Sequence, residues 1–138
     1  MDQKEKLSVV ITNLFKLKGE CYLNLVDHLE LSEMSLKQIN YLKKMNHAYG
    51  KTTSQLAEEL DLSKPTVTEM VKKFIKMDCV YKQSCPADGR VHYLKLTEKG
   101  QKIADLDLLT NDVLAMKLLK LLNEEDINTL IGILMKIE

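Results

Sequence analysis

The chain has 138 residues, which suits one compact domain with a few additional helices and excludes a second catalytic domain. Hydrophobic residues make up 45% and charged residues 29% of the sequence, so we exclude intrinsic disorder and fibrous structure. No stretch approaches the roughly 18 consecutive apolar residues of a membrane span, and the N-terminal segment lacks a signal peptide's apolar block. We therefore expect a cytoplasmic protein with no membrane partner.

The net charge of zero conceals an uneven distribution of charge along the chain. Residues 64–102 carry eight Lys, one Arg and four acids, a net charge of +5. Residues 1–63 carry eight Lys and nine acids, and residues 103–138 three Lys and seven acids, for net charges of −1 and −4. A central positive block of this kind attracts phosphates at short range, although a solvated charged face explains the charge count equally well.

Apolar residues recur at spacings of three and four near the N-terminus, which predicts an amphipathic helix of about 25 residues with one buried stripe. The stripe comprises Leu7, Val10, Ile11, Leu14, Phe15, Cys21, Tyr22, Leu25, Val26 and Leu29. A capping box of Ser35 and Gln38 predicts the start of a second helix, which Gly50 would end. The apolar face of this second helix comprises Leu36, Ile39, Leu42 and Met45.

Two short helices are predicted next, in the segment QLAEELDLSKPTVTEMVKKF. Thr52 or Thr53 caps the first helix, and Ser63 caps the second, with Pro65 tolerated in its first turn. The small Ala57 suits a close helix crossing, and Asp61 lies in the turn. The residues predicted to face inward from the second helix are Val67, Met70, Val71, Phe74 and Ile75. This spacing predicts a helix-turn-helix, although purely structural helical hairpins also show it.

The period of the pattern changes after Met77, where VYKQS and VHYLKLT flank the turn-forming CPADGR and predict a small β-hairpin. A hairpin directly after a recognition helix makes a winged helix. Its tip carries Asp88, Gly89 and Arg90, the only Arg of the chain. Arg90 is placed to enter a narrow minor groove, and the alternative is a surface ion pair with Asp88.

Thr97 caps a further helix that apolar residues extend from Glu98 to Leu122, and Asn123 caps the last helix. Terminal helices this apolar predict a homodimer, because a single chain would expose a large apolar patch. The alternative is that both ends fold back onto one monomeric core. The predicted fold class is mainly α with a small β-hairpin wing: a winged helix-turn-helix domain plus terminal dimerisation helices.

Residues 53–101 resemble the MarR-type winged-helix transcriptional regulators. The resemblance lies in TSQLAEELDLSKPTVTEMVKKFIKMDCV and in DGRVHYLKLTEKG, which carries the wing tip, the strand end and the start of the next helix. It implies a single MarR-like chain, with a helical dimerisation region at 1–30 and 103–138 and a winged helix-turn-helix DNA-binding region at 31–102. The sequence departs from the family in having few basic residues beside Arg90, and in having Cys79 and Cys85.

The resemblance implies contacts to double-stranded DNA from the recognition helix, the start of the preceding helix and the wing. The expected DNA-binding residues are Thr52, Thr53, Ser54, Gln55, Ser63, Lys64, Pro65, Thr66, Thr68, Glu69, Lys72, Lys73 and Arg90. Thr68 and Glu69 suit base edges, whereas Lys72, Lys73 and Lys76 suit phosphates. An ordinary solvent-facing role is the alternative for each.

Members of the family respond to effectors, and three kinds of signal can be weighed for this chain. An unknown small-molecule effector would bind a pocket lined by Leu14, Phe15, Lys18, Tyr22, Met34, Ile39 and Met45, although core packing explains most of these residues. A redox signal would use Cys21 or Cys85, although a buried thiol is the usual state of such a residue. The three His are scattered, so we expect no metal site.

These observations predict a transcriptional repressor that binds a pseudo-palindromic operator as a homodimer and is released by a small effector. A redox-sensing regulator acting through cysteine is one alternative. A winged-helix module that binds proteins without touching DNA is the other. No catalytic motif is recognisable, so we expect no enzyme activity and no cofactor.

Overall fold

The computed structural model describes residues 1–32 and 34–137. The helices and strands of these residues follow in chain order as α1 (Gln3–His28), α2 (Leu36–Met45), α3 (Thr53–Leu60), α4 (Lys64–Lys76), β1 (Val80–Ser84), β2 (His92–Leu96), α5 (Glu98–Ala104), α6 (Leu106–Leu121), α7 (Glu124–Leu134) and a final turn of 3₁₀ helix (Met135–Ile137). Strands β1 and β2 pair antiparallel. The predicted fold class, mainly α with a β-hairpin wing, is confirmed.

Most helices begin at a polar residue that accepts a hydrogen bond from a backbone N–H of the first turn. The predicted caps are confirmed at Ser35, Thr52, Ser63, Thr97 and Asn123. Such caps replace hydrogen bonds that the first turn of a helix lacks, each contributing about 1 kcal/mol. The short-range sequence signals therefore place the helix starts correctly.

The described residues group into two compact units, Met1–Ser32 with Leu106–Glu138, and Glu33–Asp105. In the first unit α1 contacts α6, and α6 contacts α7. The predicted α1 stripe is buried only in part within one chain: Cys21 is fully buried, whereas Leu7, Leu14 and Phe15 are 60%, 41% and 66% exposed. These exposed apolar residues thus remain in water unless another molecule covers them.

The second unit has a continuous apolar core. Its nearly inaccessible side chains include Leu42, Met45, Leu56, Val67, Val71, Phe74, Val80, Leu94 and Ile103. Two residues predicted to face inward are instead exposed: Leu36 lies one turn before the buried stretch of α2, and Ile75 lies beside the face formed by Val67, Val71 and Phe74. The core therefore uses a narrower stripe of α2 and α4 than the apolar pattern indicates.

Two helix ends differ from prediction. The long helix expected from Glu98 to Leu122 is broken at Asp105, where α5 ends and α6 begins. Asp105 has φ −91° and ψ 10°, and its carboxylate accepts a hydrogen bond from the Gln101 amide at 3.0 Å. Helix α2 ends at Met45, ahead of Gly50, which has a φ of +78° in the loop that follows.

Among residues 1–32 and 34–137, no helix combines the length and the apolar character needed to cross a membrane.

Candidate nucleic-acid interface

Helices α3 and α4 are joined by the predicted three-residue turn. Asp61 ends α3 in the left-handed conformation, with φ 54° and ψ 47°, which Asp tolerates better than most residues. The Leu62 N–H donates to the Ala57 carbonyl oxygen at 2.9 Å, and Ser63 then caps α4. Ala57 and Val67 are buried at 6% and 0% exposure. The turn and these two buried residues make the pair a helix-turn-helix.

The exposed face of α4 carries most of the predicted DNA contacts. Its exposed polar or basic residues are Lys64, Thr66, Glu69, Lys72, Lys73 and Lys76. Lys72 and Glu69 form an ion pair at 3.2 Å with both side chains about two-thirds exposed, so separating them costs little. The Thr68 hydroxyl is already used, because it donates to the Lys64 carbonyl oxygen at 2.9 Å. The methyl group of Thr68 is therefore its better contact for a base edge.

The first turn of α3 is capped by two of the residues predicted to bind DNA. The Thr52 hydroxyl accepts from the Gln55 N–H at 3.2 Å, and the Gln55 side chain accepts from the Thr52 N–H at 2.8 Å. This reciprocal capping box uses only acceptor oxygens, so the Thr52 hydroxyl hydrogen and the Gln55 side-chain NH2 group remain available as donors. Thr53 and Ser54 lie beside it at the N-terminus of α3, where backbone N–H groups lack helical partners.

The tip of the wing presents its guanidinium to solvent in a defined orientation. The Arg90 side chain is 91% exposed, and its Nε and Nη2 atoms donate to the two carboxylate oxygens of Asp88 at 3.1 and 3.3 Å. Hydrogen bonds from the Arg90 side chain and then from its backbone N–H hold the pKa of Asp88 below its ordinary value. The pair therefore positions Arg90 and leaves guanidinium N–H groups that can bind an acceptor.

The wing is attached to the segment that enters α3. Lys51 forms a β-bridge with Leu94 of β2, with N···O distances of 2.8 and 3.3 Å. Gly50 precedes this bridge, and a Cβ there would lie 3.0 Å from the Leu94 carbonyl oxygen. The Lys51 ammonium also pairs with Glu59 of α3 at 2.5 Å. These contacts hold β2 beside the segment that enters α3, within one compact unit.

A cleft of about 330 Å³ lies between the start of α3 and the wing, and we call it the α3–wing cleft. It is lined by Thr52, Thr53, Ser54, Lys82, Arg90, Val91, His92 and Leu94. Four of these residues are predicted DNA contacts, whereas Lys82 and His92 were missed by sequence reasoning. The signal that identifies Lys82 is its register, because it lies opposite Leu94 in the hairpin.

The three cysteines have different environments. Cys21 and Cys79 are buried, and burial raises the pKa of the Cys79 thiol. Cys85 is half-buried in the wing, and hydrogen bonds from the backbone of Asp88 and Ala87 lower the pKa of its thiol. The Tyr93 side chain contributes in the same direction. The thiol pKa is thus raised at Cys79 and lowered at Cys85, so of these two cysteines Cys85 more readily forms a thiolate.

The residues predicted for an effector pocket lie in both units. On α1, Leu14 and Phe15 are exposed, while Lys18 and Tyr22 are half-buried. Met34, Ile39 and Met45 are buried in the second unit, where core packing accounts for them. Within residues 1–32 and 34–137, no three His, Cys, Asp or Glu side chains converge as a metal site would require.

Comparison with known proteins finds a family similarity within the second unit. Residues 34–92 match the sequence model of the MarR family. No curated protein matches the sequence at a significant level.

Solved structures match the chain over almost its whole length. The transcriptional regulator Tm0710 of Thermotoga maritima is 21% identical with a TM-score of 0.64, over 98% of this chain and 92% of its own. YusO of Bacillus subtilis is 19% identical with a TM-score of 0.63, and the match covers 99% of this chain and 97% of YusO. A mutant of MepR from S. aureus, bound to an oligodeoxyribonucleotide, is 20% identical with a TM-score of 0.62. The match covers 99% of this chain and 96% of the MepR chain. At these identities the likeness establishes the fold. Residues 34–92 of this chain are therefore similar to the MarR family, and nearly the whole chain has the fold of these solved structures.

Proposed function

We propose that this chain is a sequence-specific DNA-binding transcriptional repressor, which binds a pseudo-palindromic operator in the cytoplasm as a homodimer and is released by a small effector. The observation that carries the proposal is the joint exposure of basic side chains on α4 and of Arg90 at the wing tip, within one compact unit. A helix with this exposed face fits the major groove, and a wing fits the adjacent minor groove. The oligodeoxyribonucleotide bound by the S. aureus MepR mutant, which has the same fold, supports this assignment.

The apolar surface of the first unit supports the homodimer. Its exposed large apolar residues include Leu7, Val10, Phe15, Met116, Leu119, Ile131, Leu134 and Ile137. Side chains of this kind on three neighbouring helices need a cover, and a second copy supplies one with two-fold symmetry. Two recognition helices then meet half-sites about one helical turn, or roughly 34 to 36 Å, apart. An effector that changes this spacing lowers operator affinity by population shift.

The test is fluorescence anisotropy of the protein against its own upstream intergenic DNA and a scrambled duplex, at several salt concentrations. We expect tighter binding to the upstream DNA, and an affinity that falls linearly on a log-log plot against salt, because each lysine–phosphate contact releases counterions. Light scattering of the free protein should give the mass of a dimer. Failure to bind either duplex at low salt would refute DNA binding and favour a protein-interaction module.

Redox control through cysteine is a second candidate, and the lowered pKa of Cys85 favours it. Peroxide would oxidise the Cys85 thiolate to a sulfenic acid within the wing, close to the proposed minor-groove contact. We expect peroxide to weaken operator binding, a thiol reductant to restore it, and Cys85→Ser to abolish the response. An identical peroxide response in Cys85→Ser would exclude Cys85 as the sensor.

A further inference from the structure

The α3–wing cleft is positively charged, and none of its lining residues is acidic. Lys82, Arg90 and His92 contribute its basic groups. Arg90 shares its charge with Asp88, whereas Lys82 has no acidic partner in the part of the chain that the structure describes. An unneutralised ammonium beside a guanidinium attracts an anion to this position.

The register of the hairpin explains why these side chains meet. Residues directly opposite each other in antiparallel strands project to the same face. Lys82 lies opposite Leu94, which is 1% exposed, and His92 lies opposite Ser84. Lys82 and His92 therefore share the face that packs toward the start of α3. Lys95 lies opposite Tyr81, on the other face.

Polar groups of the cleft complete a set of hydrogen-bond donors. The His92 Nδ1 atom lies 3.3 Å from the Ser84 hydroxyl, which orients the imidazole and leaves Nε2 available. Thr53 and Ser54 add hydroxyls and first-turn backbone N–H groups. A volume of about 330 Å³ accommodates a phosphate group with several waters, since each water occupies about 30 Å³ in the liquid.

We propose that the α3–wing cleft binds one phosphodiester group of the DNA backbone, with Lys82 and His92 as contacts in addition to those expected from the sequence. The inference rests on the proposed function and deepens it, because it names the place where the protein holds the DNA backbone between the major and minor grooves. A phosphate contact sets the register of the wing on the duplex and reads no sequence. Its loss should therefore weaken binding to all duplexes alike.

The test compares Lys82→Gln with the matched control Lys95→Gln, which removes the same charge from the opposite face of the same hairpin. Affinity is measured by anisotropy on upstream and scrambled duplexes between 0.05 and 0.3 M salt, with circular dichroism confirming that both variants are folded. One lost phosphate contact reduces the magnitude of the log-log salt slope by about 0.9 in each protomer. The corresponding loss of affinity at 0.15 M salt is about fivefold per protomer, or about 25-fold for a dimer on two half-sites.

We expect Lys82→Gln to weaken both duplexes by this factor and Lys95→Gln to leave the slope unchanged. We expect His92→Ala to weaken both duplexes as well. If the two lysine variants weaken binding equally, net charge alone determines the affinity, and the proposed phosphate contact in the α3–wing cleft is overturned. A loss restricted to the upstream duplex would also overturn it, because the cleft would then read bases. If the wild-type protein does not bind DNA, the proposed function itself is overturned. If the wild-type protein binds DNA and Lys82→Gln binds with the same affinity, only the proposed phosphate contact in the α3–wing cleft is overturned.

Discussion

Replacing Gly100 with alanine should force α5 away from the base of the wing, although alanine is the better helix former. Gly100 lies in the first turn of α5 against the backbone of Cys79. A Cβ at this position would lie 2.0 Å from the Cys79 carbonyl oxygen and 2.9 Å from its carbonyl carbon. Both contacts involve backbone atoms, so no side-chain rotation relieves them.

The magnitude follows from the contacts that such a movement breaks. Restoring a separation of 3.0 Å requires a shift of about 1 Å between α5 and Cys79. That shift lengthens the hydrogen bond from the Thr97 N–H to the Cys79 carbonyl, now 3.0 Å, and the one from the Thr97 hydroxyl to the Asp78 carbonyl, now 2.6 Å. Two weakened hydrogen bonds at about 1 kcal/mol each and about 2 kcal/mol of overpacking, less about 1 kcal/mol of helix propensity, leave about 3 kcal/mol of destabilisation.

The assay is urea unfolding followed by circular dichroism at one protein concentration, since dimerisation makes the midpoint concentration-dependent. Gly100→Ala should lower the unfolding midpoint without changing the slope. Gly19→Ala is the matched control, because beyond its chain neighbours and the local backbone of α1 no described atom lies within 4 Å of its added Cβ. The control should retain or slightly raise the free energy of unfolding. A Gly100→Ala protein as stable as the wild type would refute the close approach of α5 to Cys79.

The other predictions concern the wing and the recognition helix. Arg90→Ala should cost about 1 to 3 kcal/mol of DNA-binding free energy, and unchanged operator affinity would remove the wing from the interface. Its urea midpoint should stay at the wild-type value, because the Arg90–Asp88 pair is exposed. Cys85 should react with a disulfide reagent at a lower pH than an ordinary thiol of pKa about 8.5, since backbone hydrogen bonds favour the thiolate and lower the pKa. One reactive thiol per native chain and three in denaturant are expected; a native count of three would contradict the burial of Cys21 and Cys79. Ser63→Ala should lower the free energy of unfolding by about 1 kcal/mol, because the Ser63 hydroxyl accepts from the Thr66 N–H at 3.2 Å; an unaltered urea midpoint would show that this cap does not stabilise α4.

The sequence predicts well those features that depend on neighbouring residues. The Ser35–Gln38 capping box, the Asp61 turn and the Ser63 cap each join residues within four positions, so residue type and spacing suffice to identify them. The hairpin is equally local, because β1 and β2 are consecutive and joined by a turn-forming segment. These features already specify the helix-turn-helix and its wing, and hence the surface proposed to bind DNA.

The sequence does not predict which side chains are available for binding. The α3 cap fixes the side chains of Thr52 and Gln55, because each side chain accepts a hydrogen bond from the other residue's backbone N–H. The break at Asp105 is likewise hidden, because Ile103 and Leu106 on either side of it are both apolar and almost fully buried. Secondary-structure propensity and apolar periodicity describe an average environment. The side-chain contacts of the α3 cap and the helix break at Asp105 each depend instead on a particular contact.

The sequence by itself determined the types of element, the capped helix starts and the winged helix-turn-helix, since those follow from short-range hydrogen bonding and apolar period. Only the tertiary structure decided that Gly100 is required against Cys79, and that Lys82 and His92 join the start of α3 around one cleft. It also decided which part of the α1 stripe is covered within one chain, namely the part around Cys21 and not that around Leu7 and Phe15. The physical reason is common to all three: each depends on residues distant in sequence, or in another molecule, whose approach no local pattern records.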